Sequence, residues 1–297
     1  MQNVTPSAIV ALAGELSVAA WFGLAADRAA RAVQRRPAIV RTLVPALLVL
    51  PYVLVAVSLH VFRWQWFALY AGLPVATSWL LGQAAQADPE RRGNWRDAVI
   101  LLVLGLAVDL RWFESAWPVG PLRAALNELL LVDIGLYGFT AVRQLDGTGF
   151  DFHLKWSDPK TGLRELLFFA PIVLLLGLAL GFIHPRANWP AAWKAVLTWI
   201  GIFLFVAVPE ELFFRAWVQN FLERRVGRRW ALAIAAVVFG LSHFNKRNAI
   251  GAHFNWRYVI LATIAGIFYG RAWRERRRVP ASAITHACVD WIWSWWF

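Results

Sequence analysis

The sequence predicts an all-α polytopic membrane protein with about 8–10 transmembrane helices. Hydrophobic residues make up 59% of the 297 residues and charged residues only 16%, whereas soluble domains average about 45–50% and about 25%. The hydrophobic residues occur in long stretches, and the basic residues occur in short clusters between them. A soluble chain of this composition could not cover its surface with polar atoms, so the composition indicates a lipid environment.

Ten apolar stretches are long enough, or nearly long enough, to cross about 30 Å of hydrocarbon. The fourth and the eighth are short, which is why the predicted number of spans is a range. The stretches lie near 7–26, 42–62, 66–84, 98–112, 124–142, 165–184, 193–222, 230–244, 257–272 and 280–297.

A polar connection at 143–164 is the longest between two apolar stretches. We therefore expect an N-terminal transmembrane helical bundle at 1–160 and a C-terminal core at 161–297. The N-terminal bundle carries no motif that indicates a role. The residue patterns that indicate chemistry lie within 195–292.

Lysines and arginines are distributed unevenly over the connections between the apolar stretches. Odd-numbered connections hold 21 of the 30 basic residues, and even-numbered connections with their flanks hold 8. Since basic connections stay on the cytoplasmic side, we expect the odd-numbered ones to be cytoplasmic and, with ten spans, both termini to be outside. The net charge of +12 comes from these clusters, so no nucleic-acid partner is expected.

Two adjacent carboxylates and an arginine lie inside an apolar stretch, in the motif E-E-x-x-x-R formed by Glu210, Glu211 and Arg215. An ionised side chain at that depth costs roughly 2.5–3.5 kcal/mol. Positions four apart share one helix face, so Glu211 and Arg215 are predicted to form a structural ion pair. Glu210 is rotated by about 100° and is left to face another group, while Pro209 is expected to kink the helix. The alternative is a helix end at the interface, with both carboxylates reaching water.

Two histidines lie in similar apolar surroundings further along the chain. His243 follows Phe239 by one helical turn, and His286 precedes Asp290 by one turn. A carboxylate that is hydrogen-bonded to an imidazole fixes its tautomer and raises its basicity. The alternatives are an interfacial histidine at position 243 and a buried polar pair at positions 286 and 290 that joins two helices.

These three patterns, in this order, resemble the CPBP (ABI) family of intramembrane endopeptidases, whose eukaryotic members are type II CAAX prenyl proteases. The family signature is E-E-x-x-x-R, then F-x-x-x-H, then H-x-x-x-N or a similar polar residue. The glycine-spaced segment 266–270 before a basic turn also resembles the family. The resemblance covers about 195–292 and implies a protease core at 161–297. Asp290 stands where asparagine is common, and an ionised aspartate cannot donate a hydrogen bond to an oxyanion.

The resemblance implies an intramembrane endopeptidase that uses a glutamate-activated water. Glu210 would be the general base, and His243 would share the water with it. His286, oriented by Asp290, would donate a hydrogen bond to the tetrahedral oxyanion. This scheme needs no cofactor. The alternative is a zinc site, with Glu210, His243 and His286 as ligands and an open position for water.

The resemblance also implies a peptide substrate that is membrane-embedded or lipid-proximal and is membrane-anchored or C-terminally tagged. Bacterial relatives act in peptide maturation, bacteriocin self-immunity and removal of C-terminal tails. The alanine-, arginine- and tryptophan-rich composition is typical of bacterial proteins, so we expect a multi-pass protein of the bacterial inner membrane whose partners are the lipid bilayer and such a peptide. A proton-coupled polytopic membrane transporter is the alternative, because intramembrane carboxylates and histidines also occur in carriers.

Overall fold

The structure, a computed structural model, describes residues 4–246 and 254–297. Within these two ranges every regular element is a helix, and there is no strand. The chain divides into two compact units, Met1–Asp146 and Gly147–Phe297. The all-α fold class predicted from the composition and the apolar stretches is therefore confirmed.

The N-terminal unit consists of helices joined by short connections. Its α-helices are α1 (Pro6–Gln34), α2 (Ala38–Leu43), α3 (Leu50–Ser58), α4 (Trp64–Ala87), α5 (Trp95–Asp109) and α6 (Arg123–Gly135). Its 3₁₀ segments are Val44–Val49, Glu114–Ala116 and Gly120–Leu122, and the π-helical segment Leu136–Val142 continues α6.

The C-terminal unit carries the three sequence motifs. Its α-helices are α7 (Ser157–Ala179), α8 (Ala192–Ile202), α9 (Val208–Glu211), α10 (Asn220–Leu241), α11 (Trp256–Arg276) and α12 (Val279–Trp296). The π-helical segments Phe203–Ala207 and Leu212–Gln219 join α8 to α9 and α9 to α10, so helical structure continues from α8 into α10.

Several helices begin at side chains that cap them. The Thr5 side chain accepts a hydrogen bond from the Ala8 N–H at the start of α1. Asn94 and Asp97 form a capping box at the start of α5, and the Asn255 side chain caps α11. These side chains satisfy N–H groups that the first turn of a helix leaves without a partner.

Five helical segments among the described residues are long and apolar enough to cross a membrane. They are Pro6–Gln34, Ala38–Ser58, Arg123–Val142, Ser157–Ala179 and Ala192–Leu241. Apolar side chains such as Leu167 and Leu175, which are 74% and 71% exposed, are suited to contact with lipid. The structure is thus that of a polytopic membrane protein, and the count of 8–10 spans stays a prediction.

One long helical run is interrupted at a glycine. The sequence predicts two apolar stretches, 193–222 and 230–244, on either side of a basic cluster. Between them Gly227 has a φ of 78°, in the left-handed region that glycine adopts without strain. Helix α10 therefore contains a break that separates the two stretches.

Helices α10 and α11 pack closely in the C-terminal unit. A Cβ atom at position 240 would lie 1.9 Å from Thr263 Oγ1 and 2.7 Å from the carbonyl oxygen of Val259, so this approach requires Gly240. The rings of Phe239 and Tyr269 meet across the contact, with centroids 5.8 Å apart. Both rings also contact the candidate site.

The start of α12 is fixed by ion pairs. Arg278 donates to Asp158 at 2.6 and 2.8 Å and to Asp151 at 2.8 Å. Burial opposes the ionisation of Asp151, but hydrogen bonds from Arg278 and His153 outweigh it and lower the pKa of Asp151 to about 2. These contacts hold the N-terminal end of the helix that carries His286.

Candidate active site

Glu210 and Glu211 lie in α9, a single α-helical turn between two π-helical segments. Pro209 lies in the same turn and has no N–H to donate. π-Helical turns occur frequently at functional sites. The sequence predicts a kink at Pro209, and the structure has π-helical turns on both sides of the two carboxylates.

The carboxylate of Glu211 is completely buried and has three side-chain partners. Arg215 donates from Nε to Glu211 Oε2 at 2.9 Å. The hydroxyl of Ser282, in α12, is hydrogen-bonded to the same oxygen, and His286 Nδ1 lies 2.9 Å from Glu211 Oε1. The ion pair expected from the spacing is present, and Glu211 also links α9 to α12.

Both ring nitrogens of His286 face carboxylates. Because the carboxylate of Glu211 only accepts, His286 Nδ1 carries the proton of that hydrogen bond. The other nitrogen, Nε2, lies 3.5 Å from Asp290 Oδ2 and 3.9 Å from Glu210 Oε2. The ring also stacks on Tyr269, with centroids 4.6 Å apart and an interplanar angle of 17°. Glu211 and Tyr269 therefore orient the imidazole, and Asp290 faces its second nitrogen.

Glu210 is the less buried of the two adjacent carboxylates, with 23% of its side chain exposed. Its Oε2 atom is buried and has no hydrogen-bond partner in residues 4–246 and 254–297. The separation of 3.9 Å from His286 Nε2 is too long for a hydrogen bond. A carboxylate oxygen that has no donor can accept a proton from a reacting group beside it, as a general base must.

His243 follows the last turn of α10 and is held by the backbone. Its Nδ1 atom lies 2.8 Å from the carbonyl oxygen of Phe239 and 3.2 Å from Ser242 Oγ. Because a carbonyl only accepts, Nδ1 carries a proton, and Nε2 is the acceptor of the neutral ring. The ring contacts those of Phe239 and Tyr258, with centroids 4.8 and 4.7 Å away. These contacts fix the orientation of its acceptor nitrogen.

A cavity of about 330 Å³ adjoins these residues within the C-terminal unit. His243, His286 and Asp290 lie in its wall, and the rest of the wall is aromatic and aliphatic, with contributions from α7, α11 and α12. Glu210 does not line it. The structure therefore brings both histidines and Asp290 to one apolar cavity, and the two glutamates contact His286 without lining that cavity.

The predicted zinc alternative needs Glu210, His243 and His286 in one ligand sphere. In residues 4–246 and 254–297, no group of three or more His, Cys, Asp or Glu side chains is arranged to hold a metal ion. The zinc alternative stays a prediction that only experiment can test.

The sequence motifs did not indicate two residues that contact the site. The hydroxyl of Ser282 lies against Glu211 and 2.9 Å from the carbonyl oxygen of Tyr269, so it joins α12 to both α9 and α11. One signal was present, because Ser282 lies four residues before His286 and therefore on the same helix face. Tyr269 lies in the glycine-spaced segment 266–270, but the position of its ring against His286 depends on tertiary packing.

The helical fold and the buried acid–histidine cluster define a membrane protein with a site suited to proton transfer. Residues 191–292 match the family model described as Type II CAAX prenyl endopeptidase Rce1-like. The resemblance predicted from the three motifs is thereby confirmed over this segment, which contains Glu210, His243, His286 and Asp290. The match supports a CAAX protease-like endopeptidase, a hydrolase in a lipid environment with a membrane-associated substrate. No curated protein and no solved structure matches the chain.

Proposed function

We propose that the chain is an intramembrane endopeptidase that hydrolyses peptide bonds of membrane-anchored or C-terminally tagged substrates with a water activated by Glu210. One observation carries the proposal: Glu210 Oε2 has no hydrogen-bond partner among the residues that the structure describes and faces His286 Nε2 at 3.9 Å, within the segment that matches the protease family. Such a carboxylate accepts the proton of an attacking water, and the Nε2–H of a doubly protonated His286 beside it stabilises the oxyanion that forms.

His243 supports the same scheme. Its Nδ1 proton is committed to the carbonyl oxygen of Phe239, so its Nε2 accepts from the water that Glu210 activates. The apolar cavity, whose wall contains both histidines, receives the apolar part of a membrane-anchored substrate. A substrate segment that fills this apolar cavity displaces other solvent while Glu210 and His243 hold the reacting water, which strengthens the electrostatic contacts around the reacting bond.

Asp290 contributes its negative charge, 3.5 Å from His286 Nε2, which stabilises the doubly protonated imidazolium that donates to the oxyanion. Asparagine, which is common at this position in the family, donates instead. We expect Asp290→Asn to fold normally and to lower kcat by at least about 10-fold, within the range of a proton-transfer group. A fully active variant would leave Asp290 without a catalytic role.

The decisive experiment compares Glu210→Gln with the wild type on a quenched, farnesylated CAAX peptide in lipid nanodiscs. We expect kcat to fall by about 10²–10⁴, with unchanged thermal unfolding. Glu90→Gln is the matched control, because this carboxylate is 69% exposed and lies outside the site. Full activity of Glu210→Gln would reject its role as the base.

A chelator separates the glutamate scheme from the zinc scheme. Under the proposal, activity survives prolonged treatment with EDTA or phenanthroline. Loss of activity that zinc restores would instead assign Glu210, His243 and His286 as ligands.

The proposal includes a location in the bacterial inner membrane, with the odd-numbered connections in the cytoplasm and both termini outside. The distribution of 21 against 8 basic residues supports this orientation. The chain has one cysteine, Cys288, so a Cys288→Ser background allows single cysteines to be introduced and labelled from either side. Labelling of the connection at 224–229 from the periplasm would contradict the orientation.

A further inference from the structure

A second cavity, of about 570 Å³, lies within the N-terminal unit. Its volume is in the range of small-molecule sites. Guanidinium and amide groups dominate its polar wall, from Arg41, Arg91, Arg143, Gln34, Gln83 and Gln144. Of the described residues that line it, none is an aspartate or a glutamate. The wall therefore offers hydrogen-bond donors and positive charge, which suits an anion.

The three arginines differ in their partners. Arg143 is buried and is held by Asp97 at 2.8 Å and Asp88 at 2.5 Å. Arg91 donates to Gln144 at 3.2 Å, and its guanidinium lies 3.9 Å from the carboxylate of Asp146. Arg41 differs from both, because its side chain is hydrogen-bonded to an amide and forms no ion pair with any residue in the described ranges. Of the three, it is therefore the guanidinium that is free of a carboxylate partner in these ranges and able to pair with an anionic ligand.

Arg41 is held in position at both its backbone and its side chain. Tyr137 donates from its hydroxyl to the carbonyl oxygen of Arg41 at 2.8 Å. Gln34 donates from Nε2 to the carbonyl oxygen of Ala141 at 2.5 Å, which turns its amide oxygen towards Arg41. A guanidinium that is ordered before binding loses little conformational entropy when it takes up a phosphate.

The helix that carries Arg41 also faces lipid. Its span, Ala38–Ser58, is one of the segments that are long and apolar enough to cross a membrane. Along it Ile39, Leu43 and Leu47 are 69%, 52% and 61% exposed, whereas Thr42 lines the cavity. A phosphate in the cavity is therefore next to an apolar surface on which acyl chains can lie.

We propose that this cavity binds the phosphate of an anionic phospholipid, with Arg41 as the group that neutralises it. Arginine binds phosphate through paired N–H groups, and basic pockets between transmembrane helices are typical sites for anionic headgroups. The exposed apolar row beside the cavity favours a lipid over a soluble phosphate.

The test measures lipids retained by the purified full chain, using native mass spectrometry after exchange into mixed phosphatidylglycerol and phosphatidylcholine. The wild type should retain phosphatidylglycerol in preference, by about fivefold for one arginine near the surface. Arg41→Gln should abolish the preference and Arg41→Lys should keep part of it. Arg36→Gln is the matched control, because Arg36 lies in the connection just before α2, the helix that carries Arg41, is exposed and does not line the cavity.

Three results would overturn the proposal. Equal retention of both lipids by the wild type would show that the cavity does not select an anion, whatever the variants do. Equal loss of preference in Arg41→Gln and Arg36→Gln would show a general effect of surface charge. A third arm adds inorganic phosphate. If millimolar phosphate displaces phosphatidylglycerol in a manner that depends on Arg41, the ligand is a soluble phosphate and the lipid assignment is wrong.

Discussion

Glu211 in the C-terminal unit and the pair Glu15 and Asp133 in the N-terminal unit are buried to the same degree, at 0%, 1% and 0% exposure. Their surroundings differ. Glu211 accepts hydrogen bonds from Arg215 and from His286, whereas no carboxyl oxygen of Glu15 or Asp133 has a hydrogen-bond partner in the part of the chain that the structure describes.

This difference shows that burial of a carboxylate inside a membrane protein does not by itself locate a catalytic site. An ionisable residue inside a membrane is by default a candidate for a functional site. By that criterion Glu211, Glu15 and Asp133 are equally good candidates. Partners separate them, because a paired and hydrogen-bonded charge stays in one place and can orient an imidazole. Among the described residues, Glu15 and Asp133 favour the transporter alternative, and they lie outside the segment that matches the protease family.

Breaking the Glu211–Arg215 pair should have the largest effect. Glu211→Ala or Arg215→Ala leaves the other charge buried and unpaired, at roughly 3–5 kcal/mol. We expect less folded protein, measured by thermal unfolding, and no peptide cleavage. The double variant Glu211→Ala/Arg215→Ala should recover stability without recovering activity, because His286 has still lost its partner. A double variant as unstable as the singles would contradict the ion pair.

Ser282→Ala tests the partners of Glu211 more finely, because it removes one hydrogen-bond partner of Glu211 and leaves the charges of Glu211 and Arg215 in place. A hydrogen bond to a charged group contributes roughly 1.5–3 kcal/mol. We expect kcat to fall while KM changes little, since Ser282 positions Glu211 and does not contact substrate. Thr285→Ala is the matched control: its hydroxyl is also buried in α12 but bonds to the carbonyl oxygens of Gly162 and Ala281. Equal kinetic effects in the two variants would mean that Ser282 acts only on stability.

The sequence predicts the contacts between site residues of one helix, but it does not predict the contacts between residues of different helices. The spacing of Glu211 and Arg215 predicts their contact because one helix determines it. The bond between Glu211 and His286 joins residues 75 positions apart and depends on how α9 packs against α12. For this reason the sequence assigned Glu211 only to the ion pair with Arg215, whereas the structure also makes it the group that orients His286.

Asp290 also shows that helical spacing predicts a contact without predicting the other partners of the same side chain. Helical spacing places it on the face of His286, and the side chains do approach to 3.5 Å. Its role in orienting His286 stays a prediction, and the structure adds a second carboxylate, Glu211, which lies 2.9 Å from Nδ1 of His286. The apolar stretches predict the helices well because membrane insertion depends on local composition, whereas the π-helical turns around Glu210 have no comparable signal in the sequence.

Glu15→Gln and Asp133→Asn test how much the two buried carboxyl groups of the N-terminal unit contribute to stability. A neutral amide of similar shape removes a buried charge that has no partner, so we expect stability to be unchanged or raised by up to about 1 kcal/mol. Protease activity should be unaffected. Thermal unfolding of each variant against the wild type provides the measurement, and a loss of more than about 1 kcal/mol would show that the ionised carboxyl is stabilised in the folded state.

The smallest effect is expected at Asp151, which lies in a polar connection outside the membrane-spanning segments. Its pKa is about 2 in the folded state, below the usual value of about 3.9. A group whose pKa is lower in the folded state stabilises the fold above its unfolded pKa, and this contribution is lost as the pH falls through the folded pKa. Asp151→Asn should therefore reduce stability at pH 7, by less than about 1 kcal/mol because the side chain is partly exposed.

The difference in stability between Asp151→Asn and the wild type should shrink between about pH 4 and pH 2. Thermal unfolding in one detergent at pH 7, 4 and 2 measures it. Asp27→Asn is the control, since Asp27 is exposed and forms no ion pair in the part of the chain that the structure describes. If the difference at Asp151 were the same at pH 2 as at pH 7, its charge would not contribute to holding Arg278. In that case the start of α12 would be fixed by Asp158 without help from Asp151, through the two hydrogen bonds that Asp158 accepts from Arg278.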